Sequence, residues 1–164
     1  MSLGPTNFKI IRGMLTGELL DFLGVYAYNI ATLPNEWKDS QVPNTPAFHD
    51  DLAMKNLMCY LSVDMEKYLG IDLIPTYSYL RVYKHGDVLY KHTDKNSCEF
   101  SVTLTLKREP EEDIWPIYVE TDKINKVSLD SGDGLIYKGV ENSHWRDEFS
   151  GSKLAQVFLH YVRR

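Results

Sequence analysis

The spacing of apolar residues changes near Ile74, and this change limits the folds open to the chain. Before Ile74 apolar residues recur at helical spacing, whereas after it they alternate with polar residues in short segments bounded by turn residues. About seven or eight such segments follow one another, a number typical of a β-sandwich, a barrel or a jelly roll. The second part of the chain is therefore predicted to be a compact β-structure.

The first part of the chain is predicted to be mainly helical. A short apolar strand covers 8–11, and a helix capped by Thr16 is expected over 17–31. After a loop rich in proline and asparagine, a second amphipathic helix is expected over 47–70, with Gly70 as its end. These helices present apolar faces that a sheet would cover.

Length and composition indicate one globular domain. The chain has 164 residues, of which 43% are hydrophobic, enough for a sizeable core. We expect helical support over about 1–73 and a β-core over about 74–164. The net charge of -5 and the scattered basic residues argue against a nucleic-acid partner. No segment is apolar enough to span a membrane, so no membrane partner is expected.

The two cysteines, Cys59 and Cys98, are too few for a disulfide framework and wrongly spaced for a thiolate zinc site. They are interpreted as buried thiols in a reducing compartment, which predicts a cytoplasmic protein.

The segment VYKHGDVLYKHTD contains two metal-ligand types on one predicted strand. Alternate side chains of a strand share a face, so His92 and Asp94 are expected to point the same way. Downstream, DSGDGLIYKGVENSHW adds His144 after a glycine-rich turn and a strand. Two histidines and one carboxylate can hold ferrous iron while leaving coordination positions open for oxygen and a bidentate co-substrate. The remaining three histidines, His49, His85 and His160, are interpreted as solvated or structural.

The sequence resembles the iron(II) and 2-oxoglutarate-dependent dioxygenases, particularly the prolyl-4-hydroxylase-like branch, over about 77–162. The spaced string of that family is present as Tyr83, Gly86, Leu89, His92 and Asp94. The segment LDSGDGLIYKGVENSHW is similar to the family's Gly-x-Gly turn, the following strand and the distal histidine. GSK, before the last strand, is similar to its Gly-x-Lys/Arg element.

The resemblance implies a mainly β fold with N-terminal helices, the double-stranded β-helix (jelly roll, cupin-like). It implies Fe(II), 2-oxoglutarate and O2 as cofactor and co-substrates, with ascorbate as a further possibility, and release of succinate and CO2. The product would be a hydroxylated peptide, as on a prolyl residue, or a hydroxylated small molecule. The metal ligands it implies are His92, Asp94 and His144.

The resemblance also implies which residues bind 2-oxoglutarate. The family's basic residue falls nine positions beyond His144, at Lys153, and its tyrosine falls at Tyr83. Arg146 competes for the same role. Lys153 is favoured, because its strand is interpreted as facing inward at Lys153, Ala155 and Val157, whereas Arg146 follows Trp145 in a predicted turn.

Four aromatic residues are candidates for the substrate side of the pocket. One shares a strand with the metal ligands and three lie in or next to later strands: Tyr90, Trp115, Tyr118 and Trp145.

Two other functions remain open. A cupin-like metal-binding protein or isomerase would use the same ligands without 2-oxoglutarate turnover, and a metal-free jelly-roll interaction module would not need the ligands at all.

Overall fold

A computed structural model describes residue 3, residues 7–35 and residues 37–164 of the chain. Its regular elements are, in chain order, β1 (Phe8–Ile11), α1 (Gly17–Ile30), β2 (Ala47–His49), α2 (Leu52–Leu69), β3 (Leu73–Lys84), β4 (Leu89–His92), a short 3-10 helix (Asn96–Cys98), β5 (Phe100–Glu109), β6 (Ile117–Glu120), β7 (Ile124–Val127), β8 (Gly134–Tyr137), β9 (His144–Arg146) and β10 (Lys153–Arg163).

The strands form two antiparallel sheets. The major sheet has the order β1-β8-β5-β10-β3-β2, and the minor sheet has the order β4-β9-β6-β7. Neighbours in each sheet are mostly distant in sequence, as a jelly roll requires. The predicted fold, a jelly roll preceded by helices, is confirmed.

Both helices pack on one face of the major sheet. The core between the helices and the sheet contains a row of apolar residues on one face of α2. These residues follow the helical spacing expected from the sequence: Leu57, Leu61, Met65 and Leu69. Gly70 ends α2 in the left-handed conformation, at φ 70°, where glycine carries no steric penalty.

The beginning of the second helix was predicted too early. Residues 47–49 form β2, which pairs with β3, and the helix begins at Leu52 after the N-cap Asp51. The Asp51 carboxylate accepts hydrogen bonds from the first turn, whereas Thr16, the predicted cap of α1, makes no such bond with its side chain. His49 therefore lies in a strand, where its ring stacks on Tyr77.

The strand β5 is buried on both faces. Val102, Leu104 and Leu106 face the helices, as their alternation predicts. The other face carries small polar residues that are nevertheless buried: Ser101, Thr103 and Thr105. These side chains are hydrogen-bonded within the protein, for example Thr105 to Gln156 at 3.0 Å, and this satisfies their polar groups between the sheets.

None of the helices in the described part of the chain is long and apolar enough to cross a membrane. The prediction of two buried thiols is half wrong, because Cys98 is buried but Cys59 is exposed on α2.

Candidate metal centre and adjoining cavity

Three side chains with metal-ligand atoms meet between the two sheets. His92 ends β4, Asp94 lies just beyond it, and His144 begins β9 directly opposite His92 in the antiparallel ladder. The Nε2 atoms of His92 and His144 lie 3.7 and 3.5 Å from Oδ1 of Asp94. Their ligand atoms all fall within 4.8 Å of one another, so the three could hold one metal ion.

Backbone carbonyls orient both imidazoles toward Asp94. Nδ1 of His92 lies 2.7 Å from the carbonyl oxygen of Tyr90, and Nδ1 of His144 lies 2.9 Å from that of Asn142. Because a carbonyl only accepts hydrogen bonds, each Nδ1 carries the proton and each Nε2 keeps its lone pair, although Nε2 of His144 also lies 3.4 Å from the Tyr137 hydroxyl. This is the arrangement in which histidine binds a metal with its ring held in place from behind.

The Asp94 carboxylate is held in its charged form. Burial alone would raise its pKa, but hydrogen bonding and charge interaction with His144 and a hydrogen bond from Ser101 lower the pKa to about 2. The Ser101 hydroxyl donates to Oδ2 at 2.8 Å, and the Asp94 amide donates to the carbonyl of Gly139. A negative carboxylate beside two imidazole nitrogens suits a divalent cation.

Gly139 permits the close approach of Asp94. A Cβ added at Gly139 would lie 2.0 Å from Oδ2 of Asp94 and 2.7 Å from the Ser101 hydroxyl. Only a residue without a side chain fits beside the carboxylate.

A cavity of about 300 Å³ opens beside the three ligand-type residues. Its walls come from β3, β4, β9, β10 and two loops, and it is lined by Trp37, Asp39, Ser40, Gln41, Tyr77, Tyr79, Arg81, Tyr83, Leu89, His92, Lys95, His144, Phe158 and His160.

Unpaired donors surround Tyr83, which lines this cavity. Nε and Nη2 of Arg146, the hydroxyl of Tyr83 and Nε of Arg81 are all buried without a hydrogen-bond partner among the described residues. Burial lowers the pKa of Arg146 to about 10, although the neighbouring Tyr83 and Tyr137 act to raise it. Unsatisfied buried donors are costly, so their concentration here marks a place where a bound anion fits.

The charge around Tyr83 is unbalanced. Arg81 donates to Oδ2 of Asp39 at 2.5 Å, and this ion pair neutralises one guanidinium. No acidic side chain of the described residues pairs with Arg146, whose Nη1 donates only to the carbonyl of Trp115. One positive charge therefore remains uncompensated beside the cavity.

The structure corrects the prediction for Lys153. Lys153 is exposed, and its Nζ lies 5.5 Å from the centroid of the Tyr28 ring on α1. Ala155 and Val157 belong to the core under the helices. These residues of β10 therefore face the helices and not the cavity, contrary to the prediction. The residue of β10 that pairs with Tyr83 is Leu154, whereas Lys153 pairs with Lys84.

Arg146 was predicted to lie in a turn and instead belongs to β9. Because alternate residues of a strand share a face, Arg146 points to the same side as His144. Trp145, between them, points to the outside.

The four predicted substrate-side aromatics all lie outside the cavity. Tyr90 is exposed, and Trp115 packs behind Tyr83 at a ring distance of 4.9 Å. Tyr118 and Trp145 stack on each other across β6 and β9, on the face of the minor sheet that points away from the core. The predictions failed because the sequence does not say which face of a short strand is covered.

The aromatic lining comes mainly from residues that sequence analysis did not select. Tyr77, Tyr79, Arg81 and Tyr83 occupy alternate positions of β3, and all four line the cavity. Alternate residues of a strand share a face, so the interpretation of Tyr83 as a cavity residue already implies that Tyr77, Tyr79 and Arg81 face the cavity too. No sequence signal identified Asp39, whose role depends on a loop meeting β3.

No protein-family model matches the chain, and no curated protein matches it. Solved structures do match. One is the viral collagen prolyl hydroxylase vCPH from Paramecium Bursaria Chlorella virus-1 in its 2OG complex, with a TM-score of 0.71 and 14% identity over 94% of this chain and 95% of that one.

Two further solved structures also match. SnoN from nogalamycin biosynthesis, a non-heme α-ketoglutarate-dependent epimerase, gives a TM-score of 0.78 at 13% identity over 98% of this chain and 79% of that one. HygX from Streptomyces hygroscopicus, with nickel, 2-oxoglutarate and hygromycin B bound, gives 0.74 at 13% identity, with coverages of 98% and 84%. The chain has the fold of the 2-oxoglutarate and iron(II) oxygenases.

Proposed function

We propose that this protein is an Fe(II)- and 2-oxoglutarate-dependent oxygenase that hydroxylates its substrate with release of succinate and CO2. The observation that carries the proposal is the closeness of two sites, since His92, His144, Tyr83 and Arg81 line one cavity and the charge of Arg146 acts on Tyr83. A His-Asp-His set suited to a divalent metal adjoins unpaired buried donors suited to a carboxylate. A cupin-like metal protein would need the first but not the second.

His92, Asp94 and His144 would hold the iron. Their histidine Nε2 atoms and the Asp94 carboxylate supply three ligands, and the carbonyls behind the two rings keep the lone pairs directed at the site. When bound, iron together with 2-oxoglutarate supplies the oxidative chemistry, which no side chain could perform.

Arg146 and Tyr83 would bind the distal carboxylate of 2-oxoglutarate. Two free guanidinium nitrogens and a phenol hydroxyl offer charge-assisted hydrogen bonds, which are short and strong in a buried setting. The uncompensated charge of Arg146 would be neutralised by the anion. Arg81, whose charge Asp39 already balances, would support Tyr83 from the other side.

The remaining walls would orient the substrate and exclude water. Tyr77, Tyr79, Phe158 and the exposed Trp37 give the mouth of the cavity an aromatic lining, which suits a peptide side chain such as proline or a small metabolite. Because the fold is also used by an epimerase, hydroxylation is the part of the proposal that depends on experiment.

We propose further that the chain acts as a single domain, 1–164, with residues up to about 73 supporting a catalytic core over 74–164. Two unpaired cysteines support action in the reducing cytoplasm.

The test is turnover of labelled 2-oxoglutarate by the purified protein with Fe(II), ascorbate and oxygen. We expect slow succinate release without substrate and faster release with a productive compound in a panel of proline-containing peptides, amino acids and small metabolites. The His92→Ala variant serves as the inactive control. Absence of both 2-oxoglutarate binding and succinate release from a protein that binds the metal would favour the cupin-like alternative.

A further inference from the structure

A second group of metal-ligand side chains lies next to the proposed iron site. Asp94, Cys98 and His160 bring a carboxylate, a thiol and an imidazole within 4.8 Å of one another. Cys98 and His160 are both buried, at 1% and 5% exposure, and His160 also lines the cavity. The proposed oxygenase chemistry uses neither residue.

The two groups share Asp94. Oδ1 faces Nε2 of His92 and of His144, while Oδ2 accepts the hydrogen bond from Ser101. The same Ser101 hydroxyl lies 3.0 Å from Nδ1 of His160. Asp94 therefore belongs to both clusters, and Ser101 links its carboxylate to His160.

The second cluster keeps free ligand capacity. Nε2 of His160 has no hydrogen-bond partner in the parts of the chain that the structure describes, and Cys98 has only the Tyr77 hydroxyl at 3.0 Å and a long contact with Ser97. Because the Ser101 hydroxyl donates its proton to Asp94, Nδ1 of His160 is the donor to Ser101 and Nε2 keeps a lone pair for a metal. A 3-10 helix at Asn96–Cys98 fixes the thiol within four residues of Asp94.

We propose that Asp94, Cys98 and His160 form a second metal site, selective for thiophilic divalent cations such as Zn²⁺, Cd²⁺ or Co²⁺. A thiolate, an imidazole and a carboxylate form a donor set typical of zinc and its analogues, and one of the three residues, His160, lines the cavity. The set differs from the thiol-free His92, Asp94 and His144 group, so the two sites differ in the metals that they prefer. This proposal does not depend on oxygenase activity.

Cobalt is the probe that separates the sites, because Co²⁺ bound by a thiolate gives an intense near-ultraviolet charge-transfer absorption that histidine and carboxylate ligands do not give. Metal-free protein, kept reduced and under nitrogen, is titrated with Co²⁺. We expect the absorption in the wild type, its loss in Cys98→Ser, and its retention in Cys59→Ser, which changes the exposed cysteine on α2. Circular dichroism verifies that each variant is folded.

The His92→Ala variant shows to which site the thiolate belongs. We expect it to keep the charge-transfer absorption while binding less Mn²⁺, an oxygen- and nitrogen-preferring cation that reports on the first site. Wild-type protein without the absorption would overturn the proposal whatever the variants do. So would an absorption that depends on Cys59, or one that disappears in His92→Ala, since the thiol would then ligate a metal at the first site.

His160→Gln provides a second variant in case Cys98→Ser does not fold. We expect it to weaken Co²⁺ binding at the thiolate site by at least about 10-fold, because one of three protein ligands is lost. Unchanged Co²⁺ affinity in a folded His160→Gln protein would exclude the imidazole from the site and overturn the proposal.

Discussion

The guanidinium carbon of Arg146 lies 4.9 Å from the centroid of the Trp115 ring, and Nη1 of Arg146 donates to the carbonyl of the same tryptophan. Stacking and hydrogen bonding fix the guanidinium while Nε and Nη2 stay unpaired. A planar donor group held in this way loses little conformational freedom when a carboxylate binds.

The first prediction is that Arg146→Gln weakens 2-oxoglutarate binding by two or more orders of magnitude. Removing the buried partner of a charged group costs about 3 to 5 kcal/mol. Calorimetric titration with Mn²⁺ in place of iron, under nitrogen, measures the dissociation constant. Lys153→Gln is the matched control and is expected to bind like the wild type. If Lys153→Gln lost affinity instead, the anion would lie elsewhere.

The second prediction concerns Tyr83→Phe, which removes one hydroxyl and keeps the ring in the core. A hydrogen bond to a charged group contributes about 1.5 to 3 kcal/mol, so 2-oxoglutarate should bind roughly 10- to 150-fold more weakly. Without ligand, the hydroxyl has no hydrogen-bond partner among the described residues, so its removal should not lower the free energy of unfolding. The same titration, with thermal unfolding beside it, checks both expectations.

The third prediction is that His92→Ala lowers metal affinity by at least about 100-fold, since even residues behind a metal ligand contribute 10- to 100-fold. Mn²⁺ binding followed by electron paramagnetic resonance measures it. His85→Ala, which changes a histidine in the exposed turn before β4, is the control. Equal Mn²⁺ affinity in the two variants would remove His92 from the metal site.

The fourth prediction is that Gly139→Ala weakens metal binding, because it crowds the Asp94 carboxylate. The new methyl group would overlap Oδ2 of Asp94, and forcing atoms into a packed interior costs about 1 to 3 kcal/mol. Metal affinity and thermal stability should both fall. Ser101→Ala removes the hydrogen bond to Asp94 without crowding it and should reduce metal affinity less. A larger loss of metal affinity in Ser101→Ala than in Gly139→Ala would contradict this steric account.

The fifth prediction concerns pH and a carboxylate far from the site. Asp133 accepts hydrogen bonds from the Gly13 and Asp130 amides and from Arg12. Burial would raise its pKa, but these bonds lower it. A lowered folded-state pKa gives stability that is present above the unfolded value of about 3.9 and is lost as pH falls.

Asp133→Asn should therefore be less stable than the wild type near neutral pH by about 2 kcal/mol, and the difference should shrink as the pH falls below about 4. Urea unfolding at several pH values measures both quantities. Asp64→Asn, at an exposed pair with Lys67, should change little at any pH. A difference independent of pH would mean that the Asp133 charge is not what stabilises the turn.

Local patterns predicted the fold well because jelly-roll strands alternate and the α2 stripe has a clear helical period. The same alternation brought His92 and Asp94 near each other, and the order of motifs brought in His144. The sequence could not show which residues of β10 face the cavity, since Lys153 and Leu154 are both compatible with a strand end. Which of them faces the cavity depends on pairing with β3, a contact between residues about seventy positions apart.

The segment 37–41, between α1 and β2, lines one side of the cavity and has no regular secondary structure. Asp39 ties it to β3 through Tyr79 and Arg81, while the proposed metal ligands lie on and beside strands at the opposite wall. The cavity lining from this loop and the proposed metal ligands thus belong to separate stretches of chain, although Tyr77, Tyr79 and Phe158 of the sheet also line the cavity. We expect exchange of residues 37, 38, 40 and 41, with Asp39 kept, to change which compounds the proposed oxygenase accepts while its metal ligands stay the same.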